Sequence, residues 1–236
     1  MRKDKGFLMA KRPVFVPKLD GATLVDIVDV EFEWFAGMHF TQKQKSIRSL
    51  HEAYRSQHPE VKILEISSKS EIELGTQLSA FNLMFKTKSG KNISVESIFQ
   101  SSKVFSEGGP YKDIMDMSSR DAKKDERLKN SGNLIAFEYR DTRWQLEPKT
   151  AFYDWIYLNA LNLNDDLKQQ ALAYDAFTDI EFNPQKSINC QAYSIALFVA
   201  LTKRNLLAGG TIPPKDEFIE LVEKFTIKNT SDGLLL

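Results

Sequence analysis

Apolar and polar positions along the chain first predict a set of strands. Val25 to Phe35 alternates branched apolar residues with acidic ones, which is typical of a half-buried strand. A shorter apolar run between Pro13 and Pro17 predicts an edge strand, because proline cannot donate a ladder hydrogen bond. Residues 61–68 (VKILEISS) and 176–182 (AFTDIEF) predict two more strands. Leu83–Thr87 and Asn92–Val95 predict a hairpin whose turn includes Ser89 and Gly90.

Helical periodicity occupies most of the remaining chain. It is found in residues 41–58, 94–105, 150–164, 164–174, 187–205 and 213–227. Helices and strands do not alternate in regular βαβ units, so the pattern favours an α+β fold over a doubly wound sheet. We therefore expect a predominantly helical single domain with a small, mostly antiparallel sheet.

Composition narrows the class of protein. The 236 residues are 42% hydrophobic and carry a formal net charge of zero, which excludes a broad basic field for non-specific nucleic-acid binding. The single cysteine, Cys190, excludes an intramolecular disulfide framework and a thiolate zinc cluster. The three histidines lack metalloprotease spacing. No apolar run is long enough to span a bilayer. We expect a cytoplasmic protein without a membrane, metal or cofactor requirement.

One predicted helix, Ser94 to Phe105, carries a polar stripe. Glu96, Gln100 and Lys103 are spaced i, i+4 and i+7, which places them on one helical face among apolar neighbours. Such a stripe is often only a surface ladder of side-chain pairs. The charged stretch from residue 118 to 132 is interpreted as a solvated helix or loop.

The same stripe permits a specific chemistry. A carboxylic acid such as Glu96 can protonate a leaving group at a glycosidic carbon or activate water there. The amine of Lys103 can instead attack the anomeric carbon of an opened ribose. The turn at Gly108–Tyr111 exposes backbone N–H groups that suit a phosphate. Trp144 lies outside any periodic apolar run, so both a core position and a stacking platform for a base remain open.

These residues resemble a known family, the NADAR proteins. The family helix carries the pattern E-x-x-x-Q-x-x-K, which Glu96, Gln100 and Lys103 match in type and spacing. Further matches are the LSAFNL segment (Ser79, Phe81), a tryptophan preceded by basic residues (Arg140, Arg143, Trp144) and a late acidic position. Asp179 is taken for that acidic position, and Glu181 is nearly as good a match.

Within this family the chain is most similar to DarT-associated NADAR antitoxins. Four separated segments carry the similarity: RPVFVP, QKQKSIRSLH, VFSEGGPYKDI and FTDIEFNPQKSINCQA. The resemblance implies a NADAR-type domain spanning residues 1–236. In this arrangement, residues 1–70 are an N-terminal extension packed on a core of residues 71–205, and residues 211–228 form a C-terminal helix.

The resemblance also implies an activity and a site. The expected activity is an ADP-ribosylglycohydrolase that removes ADP-ribose from guanine of DNA or RNA, opposing a DarT-type toxin. Glu96 is expected as acid/base, Lys103 as the amine near the anomeric carbon, Trp144 as a stacking residue, and Asp179 as the group that orients a ribose hydroxyl or water. Expected substrate contacts are Ser79, Phe81, Asn82, Gln100, Gly108, Gly109, Tyr111, Arg143, Asn183, Lys186, Asn189 and Gln191.

Two alternatives remain open at this point. Smaller members of the family imply an N-glycosidase that acts on a ribosylated metabolite of the riboflavin pathway. An antitoxin that neutralises its toxin by binding, without catalysis, is the other. The product of the leading reaction is ADP-ribose, and a cognate DarT-type toxin is the expected protein partner.

Overall fold

The computed structural model describes residues 8–37, 39–87 and 90–225, which form a mixed α/β structure. The strands are β1 (Met9–Pro17), β2 (Val25–Glu33), β3 (Ile63–Glu65), β4 (Met84–Lys86), β5 (Asn92–Ser94), β6 (Lys103–Phe105), β7 (Leu134–Tyr139), β8 (Thr142–Trp144) and β9 (Ala176–Thr178). The helices are α1 (Phe40–Arg55), α2 (Glu73–Gln77), α3 (Val95–Ser101), α4 (Ser119–Lys124), α5 (Arg127–Asn130), α6 (Ala151–Asn162), α7 (Asp165–Ala171), α8 (Gln191–Lys203) and α9 (Lys215–Glu223).

The described strands form three small sheets. The largest has the order β2–β1–β9–β3, in which β3 and β9 are parallel and the other pairs are antiparallel. The predicted hairpin is present as β4–β5, and β6, β7 and β8 form a third, antiparallel sheet. Ser89 of the hairpin turn lies outside the described residues. The predicted α+β class with mostly antiparallel pairing is confirmed.

The four-stranded sheet joins distant parts of the chain. Strands β1, β2 and β3 belong to the first 70 residues, whereas β9 comes from residues 71–205 and lies between β1 and β3. The prediction that Pro13–Pro17 marks an edge strand is wrong, because β1 has a neighbour on each side. Its pairing with β9 is confined to Phe15 opposite Phe177, so both prolines fall outside that ladder.

The core lies where α6 and α8 pack together and where α8 covers the four-stranded sheet. Helix α8 is apolar on nearly every side, and Ile195, Phe198 and Val199 are fully buried. No helix within the described ranges is long and apolar enough to cross a membrane. Helix α9 lies inside the predicted range 211–228, of which residues 226–228 are not described.

Helix α3 ends one turn earlier than predicted. Ser94 caps its start by accepting a hydrogen bond from the Ser97 amide. The hydroxyl groups of Ser101 and Ser102 both donate to the Ile98 carbonyl, at 3.0 and 2.7 Å, and compete with helical continuation. Lys103 therefore begins β6, and the prediction that it shares a helical face with Glu96 is wrong.

Candidate active site

A cavity of about 380 Å³ lies where α3, α4, α6 and the loops around β3 and β9 converge. Its size is in the usual range for small-molecule sites. Its lining residues are Ser67, Ser68, Lys69, Ser79, Ala80, Phe81, Glu96, Phe99, Gln100, Lys123, Tyr153, Asp179, Glu181, Phe182, Ser187, Ile188, Asn189 and Gln191. Seven of the residues expected from the sequence are among them: Ser79, Phe81, Glu96, Gln100, Asp179, Asn189 and Gln191.

Glu96 is a buried carboxylate at the wall of this cavity. It lies in the first turn of α3 with 5% of its surface exposed. Its Oε1 atom accepts a hydrogen bond of 2.9 Å from Gln100 Nε2, one helical turn later. The i, i+4 spacing in the sequence thus places an amide donor directly on the acid. A buried carboxylate needs such partners, because burial without them is costly.

Lys123 supplies a cation to the same carboxylate. Its Nζ lies 3.7 Å from Glu96 Oε1 and 5.0 Å from the centre of the Phe81 ring. Lys123 belongs to α4, inside the charged stretch that the sequence suggested was only solvated. The side chain is 57% exposed, as a solvated helix predicts, but its ammonium also contacts the buried acid. A surface-type periodicity gives no signal that one lysine of the run turns toward a buried acid.

Asp179 and Glu181 follow β9 and also line the cavity, but in different environments. Asp179 is 8% exposed, and its pKa is raised to about 8 by burial first and then by the negative charge of Glu65. The Glu181 side chain is 45% exposed and pairs with Lys43 at 3.4 Å. Of the two acidic residues left open by the sequence, Asp179 is the one in a desolvated position.

Tyr153 of α6 links the two carboxyl groups electrostatically. Its ring is buried, and the negative charges of Glu96 and Asp179 both act on its hydroxyl. Burial, and then the charge of Glu96, raises the Tyr153 pKa well above its ordinary value, so the phenol stays protonated. The cavity therefore combines two buried carboxyl groups, Glu96 and Asp179, with a neutral hydroxyl.

Gln191 joins three walls of the cavity through its side-chain amide. Its Oε1 accepts from the Ala80 amide at 2.8 Å, and its Nε2 donates to the Ile66 carbonyl at 2.6 Å and to Asp179 Oδ2 at 3.0 Å. These partners fix the orientation of the amide. Ser79, beside Ala80, is bound internally through its hydroxyl to the Thr76 carbonyl.

Asn189, just before α8, carries an unsatisfied acceptor. Its Oδ1 atom is buried and has no hydrogen-bond partner within residues 8–37, 39–87 and 90–225. Asn189 lines the cavity, so a ligand N–H group is the natural partner for this oxygen. Asn183 and Lys186 lie upstream in the same loop and do not line the cavity. The Asn183 carbonyl instead accepts from the amides of Lys186 and Ser187, which shapes the loop.

Lys103 lies behind the cavity wall and is not one of its lining residues. Its ammonium is 4.9 Å from the centre of the Phe99 ring, and Phe99 does line the cavity. Burial lowers the pKa of Lys103, while the charge of Glu96 opposes this and that of Lys123 adds to it. The charges of Lys103 and Glu96 therefore interact, although Lys103 lies in strand β6 and not in helix α3.

The glycine turn expected to hold a phosphate does not line the cavity. Gly109 has φ of +80°, and a Cβ on Gly108 would clash with the Tyr111 hydroxyl, so both glycines are required by the turn itself. The Tyr111 hydroxyl bonds to that of Ser131. Gly108, Gly109 and Tyr111 are not among the residues that line the cavity, and their role in ligand contact stays a prediction.

Trp144 is a core residue. It is 1% exposed and packs against Phe152 and Trp155, with ring centres 5.5 and 5.3 Å apart. An indole with no accessible face cannot stack on a base, so that expectation is wrong. Its neighbour Arg143 is exposed and does not line the cavity. Asn82 is likewise outside the cavity and donates to the Thr76 carbonyl and the Ser79 hydroxyl.

Some lining residues were not predicted at all. They are Ser67, Ser68, Lys69, Ala80, Phe99, Lys123, Tyr153, Phe182, Ser187 and Ile188. Glu65, next to this group, had a visible signal, because it is a lone acid between Leu64 and Ile66 in an apolar strand. The loop residues had none. Across the described ranges, no three His, Cys, Asp or Glu side chains come together as a metal-binding group.

Two buried carboxyl groups in one cavity, Glu96 beside a lysine and Asp179 with a raised pKa, suit acid–base chemistry at a glycosidic carbon. The DarT1-associated NADAR antitoxin family matches residues 10–232 of the 236, which include every lining residue. No curated protein matches the chain. Because the family match spans nearly the whole sequence, the chain belongs to the DarT1-associated NADAR antitoxins.

Proposed function

We propose that this protein is an ADP-ribosylglycohydrolase that removes ADP-ribose from guanine bases of nucleic acid and thereby reverses the action of a DarT-type toxin. The observation that carries the proposal is the pairing of Glu96 with Gln100 and Lys123 at a cavity that also contains Asp179. The family of toxin-associated antitoxins supplies the biological context.

The proposed reaction is hydrolysis of the bond between the anomeric carbon and a guanine nitrogen. Water adds to the anomeric carbon, and the guanine leaves with a proton. Glu96 acts as the acid/base group, because it is the buried carboxylate with a fixed amide donor. Asp179 orients a ribose hydroxyl or the water. Phe81 and Phe99 provide apolar surface for the sugar or base, as they line the cavity beside Glu96.

The cations at the cavity suit the diphosphate of ADP-ribose. Lys69 and Lys123 both line it, and the hydroxyl groups of Ser67, Ser68 and Ser187 are nearby. Lysine ammonium groups bind phosphate as point charges. The unsatisfied Asn189 oxygen is suited to an N–H group of one of the two bases. This arrangement recognises a single modified nucleotide, in agreement with the absence of net positive charge.

Two alternative roles of Lys103, one covalent and one electrostatic, are separated by experiment. The lowered pKa of Lys103 favours a neutral amine, which can attack the anomeric carbon of the opened ribose, displace the guanine and form a Schiff base. Water then hydrolyses the Schiff base, which releases ADP-ribose and restores the amine. Alternatively, Lys103 stays behind Phe99 and acts on Glu96 through its charge. Borohydride treatment during turnover traps the first species as a stable adduct. Lys103→Arg keeps the charge and removes the amine chemistry, so retained activity in this variant indicates the electrostatic role.

The central test uses an oligonucleotide that carries ADP-ribosylated guanine. Wild-type protein releases ADP-ribose, and Glu96→Gln lowers the rate by about 100-fold or more, the usual contribution of a general acid or base. Glu60→Gln, at an exposed position, is the matched control and retains activity. No release by the wild type, or equal release by Glu96→Gln, would contradict the proposal.

The same experiment separates the two alternatives. Cleavage of a free ribosylated metabolite without cleavage of the oligonucleotide would identify a small-molecule N-glycosidase. Rescue of toxin-expressing cells by Glu96→Gln would identify neutralisation by binding. In either case the wild-type protein is compared at the same expression level.

A further inference from the structure

A group of aromatic rings and lysines adjoins the cavity. It consists of Trp34 and Phe35 directly after β2, Phe40, Lys43 and Lys45 in the first turns of α1, and Lys69 in the loop after β3. This group is called the aromatic–lysine rim below. All six residues come from the first 70 of the chain, and the mechanism above uses only Lys69.

Two contacts join the rim to the cavity. Lys69 lines the cavity, and its Nζ lies 5.6 Å from the centre of the Phe40 ring. Glu181 also lines the cavity, and its Oε1 lies 3.4 Å from Lys43 Nζ. That ammonium is in turn 4.6 Å from the centre of the Trp34 ring. Because the Glu181 side chain is 45% exposed, the rim continues the cavity wall toward solvent.

Phe40 is the ring of the rim that is open to a partner from solvent. It is 42% exposed, and the ammonium of Lys69 lies over its ring. A single exposed aromatic residue is common on protein surfaces and by itself indicates nothing. Trp34 differs from it, because Trp34 is half-buried and both Arg12 and Lys43 lie over its ring, at 5.3 and 4.6 Å from the centre. Trp34 therefore supports the cations, whereas Phe40 offers a surface for stacking.

The chemistry of the rim is complementary to a nucleic-acid strand. Lys45 is exposed, and its Nζ lies 5.9 Å from the centre of the Phe35 ring, so ammonium groups and rings alternate here as they do around Trp34 and Phe40. Every nucleotide of a strand offers one phosphate and one base, which match an ammonium group and a ring. A protein partner would need an acidic and apolar face of its own to make the same contacts.

The position of the reacting bond favours an unpaired strand. Glu96 lies at the cavity wall with 5% of its surface exposed, so the bond to guanine has to reach a buried group. A base inside a duplex is stacked on both sides, and enzymes that act on such a base take a single strand or extrude the base. The nucleotides next to the modified guanine then lie outside the cavity, where the rim meets its exposed side.

We propose that the aromatic–lysine rim binds the unpaired nucleic-acid strand next to the modified guanine, with one flanking base stacked on Phe40 and neighbouring phosphates bound by Lys43 and Lys45. The inference rests on the proposed function, because it takes the occupant of the cavity to be an ADP-ribosylated guanine. Strand binding itself is measured without cleavage.

Fluorescence anisotropy with an unmodified, labelled single strand of about twelve nucleotides tests the rim directly. At low salt, wild-type protein should bind with a Kd between about 1 and 100 µM, the range of contacts made mainly to phosphates. Lys45→Gln should weaken binding and lower the slope of log K against log salt by about 0.7, the value for one phosphate contact of a single strand. Phe40→Ala should weaken binding by about 10-fold at an unchanged slope, because it removes a stacking surface and no charge.

The salt slope distinguishes these contacts from a structural defect. Phe40→Trp keeps a stacking surface and should bind as wild type does. Absence of binding by wild type at about 100 µM, wild-type affinity in Phe40→Ala, or a wild-type slope in Lys45→Gln would each overturn the proposal.

Two matched controls lie outside the rim and the cavity. Leu163→Ala removes an apolar side chain that is 66% exposed, and Lys203→Gln removes an exposed charge at the end of α8 opposite the cavity. Both should bind the strand as wild type does, and thermal unfolding verifies that each variant folds. Losses in these controls equal to those in the rim variants would show that binding is diffuse and would contradict the proposal.

A comparison of two modified substrates separates the strand from the other possible occupants of the rim. The substrates are an oligonucleotide with ADP-ribosylated guanine and ADP-ribosylated guanosine monophosphate. In Phe40→Ala the ratio of kcat/KM for the oligonucleotide to that for the mononucleotide should fall by about 10-fold. An unchanged ratio with equal losses on both substrates would assign Phe40 to the ADP-ribosyl group. Loss of toxin binding at unchanged strand affinity would assign the rim to a protein. Either result would overturn the proposal.

The two levels of inference fail separately. If the strand binds as expected but wild type releases no ADP-ribose, the proposed function alone is wrong. If ADP-ribose is released and Phe40→Ala binds the strand as wild type does, the role of the rim alone is wrong.

Discussion

The Nζ atom of Lys123 lies 3.7 Å from Oε1 of Glu96, although the two residues belong to different helices. The exposure of the two groups is very unequal, with 57% of the lysine side chain exposed and 7% of the glutamate side chain. The lysine therefore reaches inward from the surface to a buried acid. This contact lies at a solvent-exposed edge of the cavity, which both residues line.

Lys123→Ala is expected to impair catalysis far more than folding. A solvent-exposed lysine contributes about 1 kcal/mol or less to stability through an ion pair, so the unfolding midpoint should change little. Release of ADP-ribose should fall by roughly 10-fold or more, because Glu96 loses its cation and the phosphates lose a partner. Timed assays of ADP-ribose release measure the effect on catalysis, and thermal unfolding measures the effect on stability. Lys124→Ala, at the exposed neighbouring position, should match wild type in both, and an equal defect there would argue against a specific role.

Asn189→Ala is expected to weaken ligand binding without destabilising the fold. Its buried Oδ1 has no partner in the described parts of the chain, so its removal relieves a desolvation cost instead of breaking a bond. Loss of one ligand hydrogen bond should reduce affinity for ADP-ribose by about 10-fold, as measured by calorimetry. Asn92→Ala, at an exposed strand position, is the control. Unchanged affinity together with a lowered unfolding temperature would show that Asn189 serves the fold only.

Trp144→Ala is expected to destabilise the protein by about 3–5 kcal/mol, the usual range for removal of a large buried aromatic side chain. Trp144→Phe should cost less and should keep the rate of ADP-ribose release per folded molecule. Urea unfolding and single-turnover assays separate stability from activity. Arg143→Ala tests the exposed neighbour and should leave stability unchanged. Loss of activity in Trp144→Phe at unchanged stability would restore the stacking role that the structure contradicts.

His51 is expected to make the fold sensitive to acid. Its pKa in the folded state is about 3, below the ordinary value of 6.5, so the unfolded chain binds more protons between these values. Stability should therefore fall as pH decreases from 6.5 toward 3, by roughly 1.4 kcal/mol per unit at most from this group. In His51→Gln, urea unfolding at several pH values should show a shallower loss. His58→Gln, at an exposed position, is the control. An equally shallow loss of stability in this variant would show that the effect does not come from the burial of His51.

Local pattern was enough to locate the central acid and its amide partner. Glu96 and Gln100 are one helical turn apart in the sequence, and the helix alone brings them to 2.9 Å. The β4–β5 hairpin and the apolar α8 were likewise predictable, because each depends on contacts between near neighbours or on its own apolar content. The resemblance of E-x-x-x-Q-x-x-K and the later segments to a known family was visible at the same level.

Tertiary structure alone decided the partners of these residues. Lys103 lies outside helix α3 because the hydroxyl groups of Ser101 and Ser102 bond to the Ile98 carbonyl and because β6 pairs with β7. Trp144 is buried because helix α6 packs against it through Phe152 and Trp155. The ion pair of Lys123 with Glu96 and the strand pairing of Glu65 with Thr178 join segments that are distant in sequence. Hydrophobic periodicity does not predict such contacts. The sequence by itself thus determined which residues carry the acid and the amide. Packing determined their charge partners, because electrostatics and burial depend on distances across the fold.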